Sequence, residues 1–256
     1  MKAAFASALL SASAFAITGI DVSTYVGQSD FACMKNENNH EFGIPEWASV
    51  RAYTSAGYVD ENAPATIHNA KEAGMKHVSA YIFPCVPCGD GGGQVNSTVY
   101  FLHHTGAEPD MYWYDVERFH WSTNIYANRE FIADMIKEGK SLGIKAGIYT
   151  NYYNWEEIVG IEWTYPADQG MPLWYAHYDY YGDFKDFDPF GGWKEPAVKQ
   201  YAGDVHSCGV SVDMNYISSM SALGLADKEP APSKKPAKEA KKANESYDEF
   251  YNQFLQ

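Results

Sequence analysis

The stretch "MYWYDVERFHW", residues 111–121, decides how the chain is read. Side chains alternate along a strand, so Trp113, Asp115 and Glu117 share one face while Tyr112, Tyr114 and Arg118 point to the other. The one neighbouring cation is then on the wrong side. Two acids stand about 7 Å apart, twice the strand rise, on a face that also carries an indole. Burying unpaired charge forces a shift in pKa or costs stability, and the aromatic flanks argue against a solvated face. These acids call for a site.

Working outward, strand-like runs recur: "GIDVS" 19–23, "SVRAYTS" 49–55, "HVSAYIF" 77–83, "MYWYDVE" 111–117, "KAGIYTN" 145–151, "PLWYAHY" 172–178, "AVKQYAG" 197–203 and "SVDMNYI" 211–217. Between them, residues 62–74 read as a helix ending at Gly74. Residues 128–143 read as a longer helix with Phe131, Ile132, Met135 and Ile136 on one face and Gly143 as its stop. Strand, helix, strand in repeated order predicts parallel pairing, whereas the Gly-, Pro- and aromatic-rich 179–196 reads as loop. The fold class is α/β: a modified TIM-like (β/α) barrel of about eight strands, with helices in the first part and loops in the last.

Residues 1–16 read as a signal peptide, with one Lys, a short apolar run and Ala14-Phe15-Ala16 as a small-x-small cleavage site. Residues 17–220 form the catalytic-sized body. Residues 221–256 are a Lys/Pro/Ala-rich linker and a short tail, and 227–245 hold no bulky apolar residue to bury. No run reaches the roughly 18 apolar residues of a membrane span, which points to a secreted or lumenal protein with no membrane partner. The formal charge is −14; residues 221–256 hold six Lys and six Asp or Glu, and Lys2 lies in the signal, so residues 17–220 carry −15. That balance speaks against nucleic acid as a partner. For an anionic substrate it favours an acidic compartment, lysosomal or phagosomal in kind, where repulsion weakens.

Cys33, Cys85, Cys88 and Cys208 are an even set, which in an exported chain predicts two disulfides of undetermined pairing. Cys85-Val-Pro-Cys88 also has the spacing of a redox dithiol. A loop-bracing disulfide is the preferred reading, because "GDGGG" that follows is not expected to open a helix. A second C-x-x-C or an H-x-x-x-H is lacking, so no metal is predicted. Asn96 and Asn244 stand in N-x-S/T acceptors for glycans.

Asp21 lies in the first strand and Asp213 in the last. Closing a barrel makes those strands neighbours, so the two acids should meet, near Asp115 and Glu117 at the mouth where C-terminal strand ends converge. Clustered acids raise one another's pKa values, which is how a carboxyl stays protonated to donate a proton. Glycoside hydrolysis needs such a donor with an anion to support an oxocarbenium-like transition state. Tyr53, Tyr81, Trp113, Tyr149 and Trp174 sit at or near strand ends, where flat rings can stack on sugars.

"GIDVS", "YWYDVE", "PLWYAHY" and "KQYAGD…GVSVDMN", in this order from residue 19 to 217, resemble the glycoside hydrolase family 25 lysozymes, and in particular their secreted eukaryotic branch. The resemblance implies cleavage of the β-1,4 bond between N-acetylmuramic acid and N-acetylglucosamine in bacterial peptidoglycan, by a monomer without cofactor. It implies Glu117 as general acid, Asp115 as its partner carboxylate, and Asp21 and Asp213 as flanking acids. It further implies retention of anomeric configuration, with the substrate's acetamido group attacking while Asp115 or Asp213 polarises it. Arg51 and Tyr53 match the family at the second strand, whereas Tyr81 stands where many bacterial members carry His. A chitinase-like hydrolase and a non-catalytic sugar-binding protein are the alternatives.

Overall fold

The structure is a computed structural model and describes residues 17–36 and 43–226. The expected signal peptide, Asn244 and nearly all of the Lys/Pro/Ala-rich segment lie outside the described residues.

Nine strands and six α-helices follow in the order β1 (Ile17–Val22), α1 (Gln28–Met34), β2 (Pro45–Thr54), β3 (Tyr58–Val59), α2 (Ala63–Glu72), β4 (His77–Ile82), α3 (Gly91–His104), β5 (Tyr112–Asp115), α4 (Ile125–Ser141), β6 (Ala146–Thr150), α5 (Tyr152–Val159), α6 (Tyr165–Asp168), β7 (Leu173–Ala176), β8 (Val198–Ser207) and β9 (Val210–Ile217). All strands but β3 close into an eight-stranded barrel in the order β1-β9-β8-β7-β6-β5-β4-β2, with β2 returning to β1; β3 is a short hairpin partner on β2. Pairing within the barrel is parallel except around β9, which runs antiparallel to both β8 and β1. The reversal follows from the two-residue turn Cys208-Gly209. Both residues there have positive φ (53° and 80°), the geometry that matches the twist of a tight hairpin.

Alternation divides the side chains cleanly. Trp47, Trp113, Tyr149 and Trp174 fill the barrel interior, while Tyr112 and Tyr114 pack outward in the layer under the helices. Three indoles fit inside because glycines face two of them. A Cβ on Gly19 would lie 2.6 Å from Trp47 Cε3, and one on Gly147 would overlap the Trp113 ring. Met220, Leu223 and Leu225 close the floor. The body therefore continues a few residues past 220.

Helix α4 buries Asn128, Ile132, Met135, Ile136 and Gly139 along one stripe, and its Asn124 cap accepts N–H bonds from Tyr126 and Ala127. Helix α3 corrects the sequence reading, because the glycines of "GDGGG" do open a helix. Asp90 caps it, its Oδ1 accepting from Gly93 N at 2.9 Å, and a Cβ on Gly91 would come within 2.7 Å of Phe131 O on α4. Close helix packing sets the composition here. Cys85 pairs with Cys88 just before this cap, and Cys33 with Cys208 across 175 residues. Asn96 is exposed on α3, where its Nδ2 donates to Glu138 Oε1 at 2.8 Å.

Candidate active site

Strand β5 ends at Asp115, so Glu117 stands just beyond the strand rather than in it. Its position is held through the backbone. Val116 N donates to Tyr149 O at 2.9 Å, Thr150 Oγ1 to Val116 O at 2.7 Å, and Trp121 Nε1 to Glu117 O at 2.7 Å. Arg118 turns away to Asn154 (3.0 Å) and Glu157 (3.2 Å). Asp115 is buried at 5% exposure, whereas Glu117 is half-buried.

Asp21 on β1 and Asp213 on β9 are register partners. Because β9 is antiparallel, Asp213 reaches the mouth from the first half of its strand and not from its C-terminal end. A single amide joins the pair: Gln200 Nε2 donates to Asp21 Oδ2 at 2.9 Å and to Asp213 Oδ2 at 3.0 Å. Asn215 Nδ2 also donates to Asp21 Oδ2 at 2.7 Å and is itself held by Trp174 Nε1 at 2.7 Å. The other oxygen of Asp213 accepts the backbone N–H of Asp204 at 2.8 Å.

None of the four acids forms an ion pair among the described residues. Burial, then each other's charge, governs their protons. Asp21 is pushed well up by burial and by Asp213, and Asp115 by burial, Glu117 and Asp21. Glu117 is raised by burial and by Asp213. Asp213 is raised by burial, against the lowering effect of the Asp204 N–H. Asp115 Oδ1 is buried with no hydrogen-bond partner. The arrangement suits a protonated donor backed by carboxylates.

The rings divide differently from expectation. Trp113 and Trp174 are 0% and 1% exposed and pack edge to face at 5.4 Å, so they fill the barrel and offer no face to a sugar. Tyr53 is turned out of the interior by a register shift after Arg51 and packs beneath the helices. Tyr81 and Tyr149 stay in the upper interior, with Tyr149 OH donating to Gln200 Oε1 at 2.7 Å. Exposed rings include Tyr178, whose OH donates to Gln200 Oε1 at 2.8 Å, and Phe119, two residues past Glu117 and tilted against Phe83 at 5.3 Å.

Gln200, Asn215 and Tyr178 were not singled out from the sequence. Their signal was present: Gln200 lies two positions from Val198 and so faces inward, and Asn215 shares the face of Asp213. One group of metal-like spacing occurs among the described residues, His177, Asp179 and Asp186. Lys199 Nζ bonds both acids at 2.7 and 2.6 Å, so an ammonium occupies the position a cation would take.

The family described as Lysozyme-like protein 1 matches residues 12–201. Lysozyme-like protein 5 of Caenorhabditis elegans is 40% identical over 202 residues, covering 78% of this chain and 90% of the relative. Probable GH family 25 lysozyme 5 of Dictyostelium discoideum is 38% identical over 206 residues, 79% of this chain and 91% of the relative. The bacterial lysozyme of Streptomyces coelicolor superposes with a TM-score of 0.64 at 22% identity, covering 82% of this chain and 96% of the other, which shows a shared fold. The chain belongs to the glycoside hydrolase family 25 lysozymes.

Proposed function

We infer that the chain hydrolyses the β-1,4 bond between N-acetylmuramic acid and N-acetylglucosamine of bacterial peptidoglycan, with Glu117 protonating the leaving oxygen. The observation that carries this is the contrast among the acids. Glu117 is held at the lip of the barrel with a raised pKa, and Asp21 and Asp115 lie buried behind it. A general acid must be protonated at working pH, so burial and the Asp213 charge both act in the useful direction. Asp213 already accepts donors on both oxygens, whereas Asp115 accepts none among the described residues. Asp115 is therefore the carboxylate with capacity left for a substrate N–H, and it takes the role of polarising the acetamido group. Two disulfides and the leader-like first 16 residues support a secreted or lumenal enzyme.

The test compares the mature chain with Glu117→Gln on purified peptidoglycan. Loss of a general acid lowers the rate by about 10²–10⁴-fold. Equal release of reducing ends by both proteins removes Glu117 from the role. Digestion of chitin oligomers as fast as peptidoglycan would favour a chitinase-like enzyme instead.

A further inference from the structure

We propose that Gln200 is the positioning residue of this cleft: its one amide nitrogen holds Asp21 and Asp213 as a bridged pair, and so determines which acid carries the proton that hydrolysis needs. The proposal rests on Glu117 being the general acid.

The hydrogen-bond inventory of the amide is complete. Gln200 is 3% exposed, and its two N–H groups go one to each carboxylate, at 2.9 and 3.0 Å. Its oxygen accepts Tyr149 OH and Tyr178 OH at 2.7 and 2.8 Å. The amide cannot turn over, because its oxygen would then face two carboxylates and both phenols would lose their acceptor. A carboxylate beside a carboxylate is unfavourable unless donors sit between them. Gln200 supplies one donor to each from a single atom, and Asn215 and the Asp204 N–H satisfy what remains. The backbone is bent for this contact. The β8–β9 register shifts twice between Gln200 and Val205, and Asp204 takes a φ of 54° with its N–H on Asp213 Oδ1. Strain in a non-glycine residue of this kind persists where neighbours over-determine it.

The consequence passes to Glu117. Donors on both oxygens favour the anion of Asp213 against the burial that raises its pKa, and the charge of that anion raises Glu117 in turn. The titratable or charged groups that bear on the cleft are Asp21 on β1, Arg51 on β2, Tyr81 on β4, Asp115 and Glu117 at the end of β5, Tyr149 on β6, Tyr178 after β7, Asp204 on β8 and Asp213 on β9. Arg51 is engaged by Asp60 at 2.8 Å, so among the described residues the cleft has no cation free to replace the amide. Without Gln200, each aspartate loses a donor that favours its anion and binds a proton more tightly, so the field at Glu117 weakens.

The experiment is the pH–rate profile of peptidoglycan hydrolysis by Gln200→Met, with thermal unfolding as the check on folding. Activity falls as pH rises through the pKa of the general acid, so a weaker hold on that proton moves the basic limb to lower pH. A shift of about one unit is expected, the scale on which a neighbouring carboxylate acts. A uniform loss of rate with an unmoved limb in folded Gln200→Met overturns the proposal, leaving Gln200 a structural residue. If Gln200→Met does not fold, Tyr178→Phe decides. It loosens the amide from an exposed position and should give a smaller shift in the same direction, and an unmoved limb again overturns the proposal. An active Glu117→Gln would instead sink the reading of Glu117, so the two failures are distinguishable.

Discussion

Asp115 and Asp21 are 5% and 6% exposed and carry pKa values held above the ordinary carboxylate value of 3.8, by burial and then by Glu117 at Asp115 and by Asp213 at Asp21. A carboxyl that binds its proton more tightly in the folded state than in the unfolded one supports the fold below its unfolded pKa. That support is lost as pH rises through the folded pKa. Both acids therefore weaken the fold at neutral pH. Asp115→Asn should be more stable than the parent at pH 7 by about 0.5–2 kcal/mol, the usual gain on relieving a functional site. The difference should shrink toward pH 4, as urea unfolding at the two pH values will read; a variant less stable than the parent at pH 7 contradicts this. At this scale the sequence was legible in part. Period-two alternation put Trp113 and Trp174 on the interior face, but alternation reports a direction and not a depth. The indole layer below the acids has room because Gly19 faces Trp47 and Gly147 faces Trp113, each glycine contributed by another strand.

Eight barrel strands could be read because each is an aromatic and β-branched apolar run bounded by turn residues, and α2 and α4 from their glycine stops and stripes. Helix α3 could not, since Gly91 to Gly93 read as breakers until α4 is packed against them. The antiparallel course of β9 was equally hidden, because its turn is Cys208-Gly209 and only one of the two is a residue that announces a tight hairpin. The long β7–β8 connection has its own anchor. Lys199 is 0% exposed on β8 and holds Asp179 and Asp186 from that segment, with His177 Nε2 a further 3.2 Å from Asp186. Removing one member of such a group leaves charge buried without its partner. Lys199→Met should cost about 3 kcal/mol, near the low end for a buried pair because both carboxylates keep some water. Adding Asp179→Asn and Asp186→Asn should recover most of it. Denaturant midpoints of the single and triple variants measure this, and an equal loss in both would deny the charge argument.

For the whole molecule, the Cys33–Cys208 bridge ties α1 to the β8–β9 turn across 175 residues, while Cys85–Cys88 closes only three. In the chain-entropy view the first is worth about 5 kcal/mol and the second about 2 kcal/mol before any native strain. Cys33→Ser with Cys208→Ser should therefore lower the unfolding temperature well below that of Cys85→Ser with Cys88→Ser. A larger drop for the short bridge would reverse the assignment. The acidic body and the raised acids together predict hydrolysis that peaks below neutral pH, and a rate still rising above pH 8 would contradict it. Both effects depend on one condition, that the barrel keeps a proton on Glu117 beside the anion of Asp213. Titration of the Glu117 side-chain carboxyl by carbon-13 NMR, in the folded protein and in Asp213→Asn, measures that condition directly. The expected result is a midpoint above the ordinary glutamate value of 4.5 that falls in the variant. A midpoint at or below 4.5 in the parent protein, unmoved by the substitution, would contradict the account.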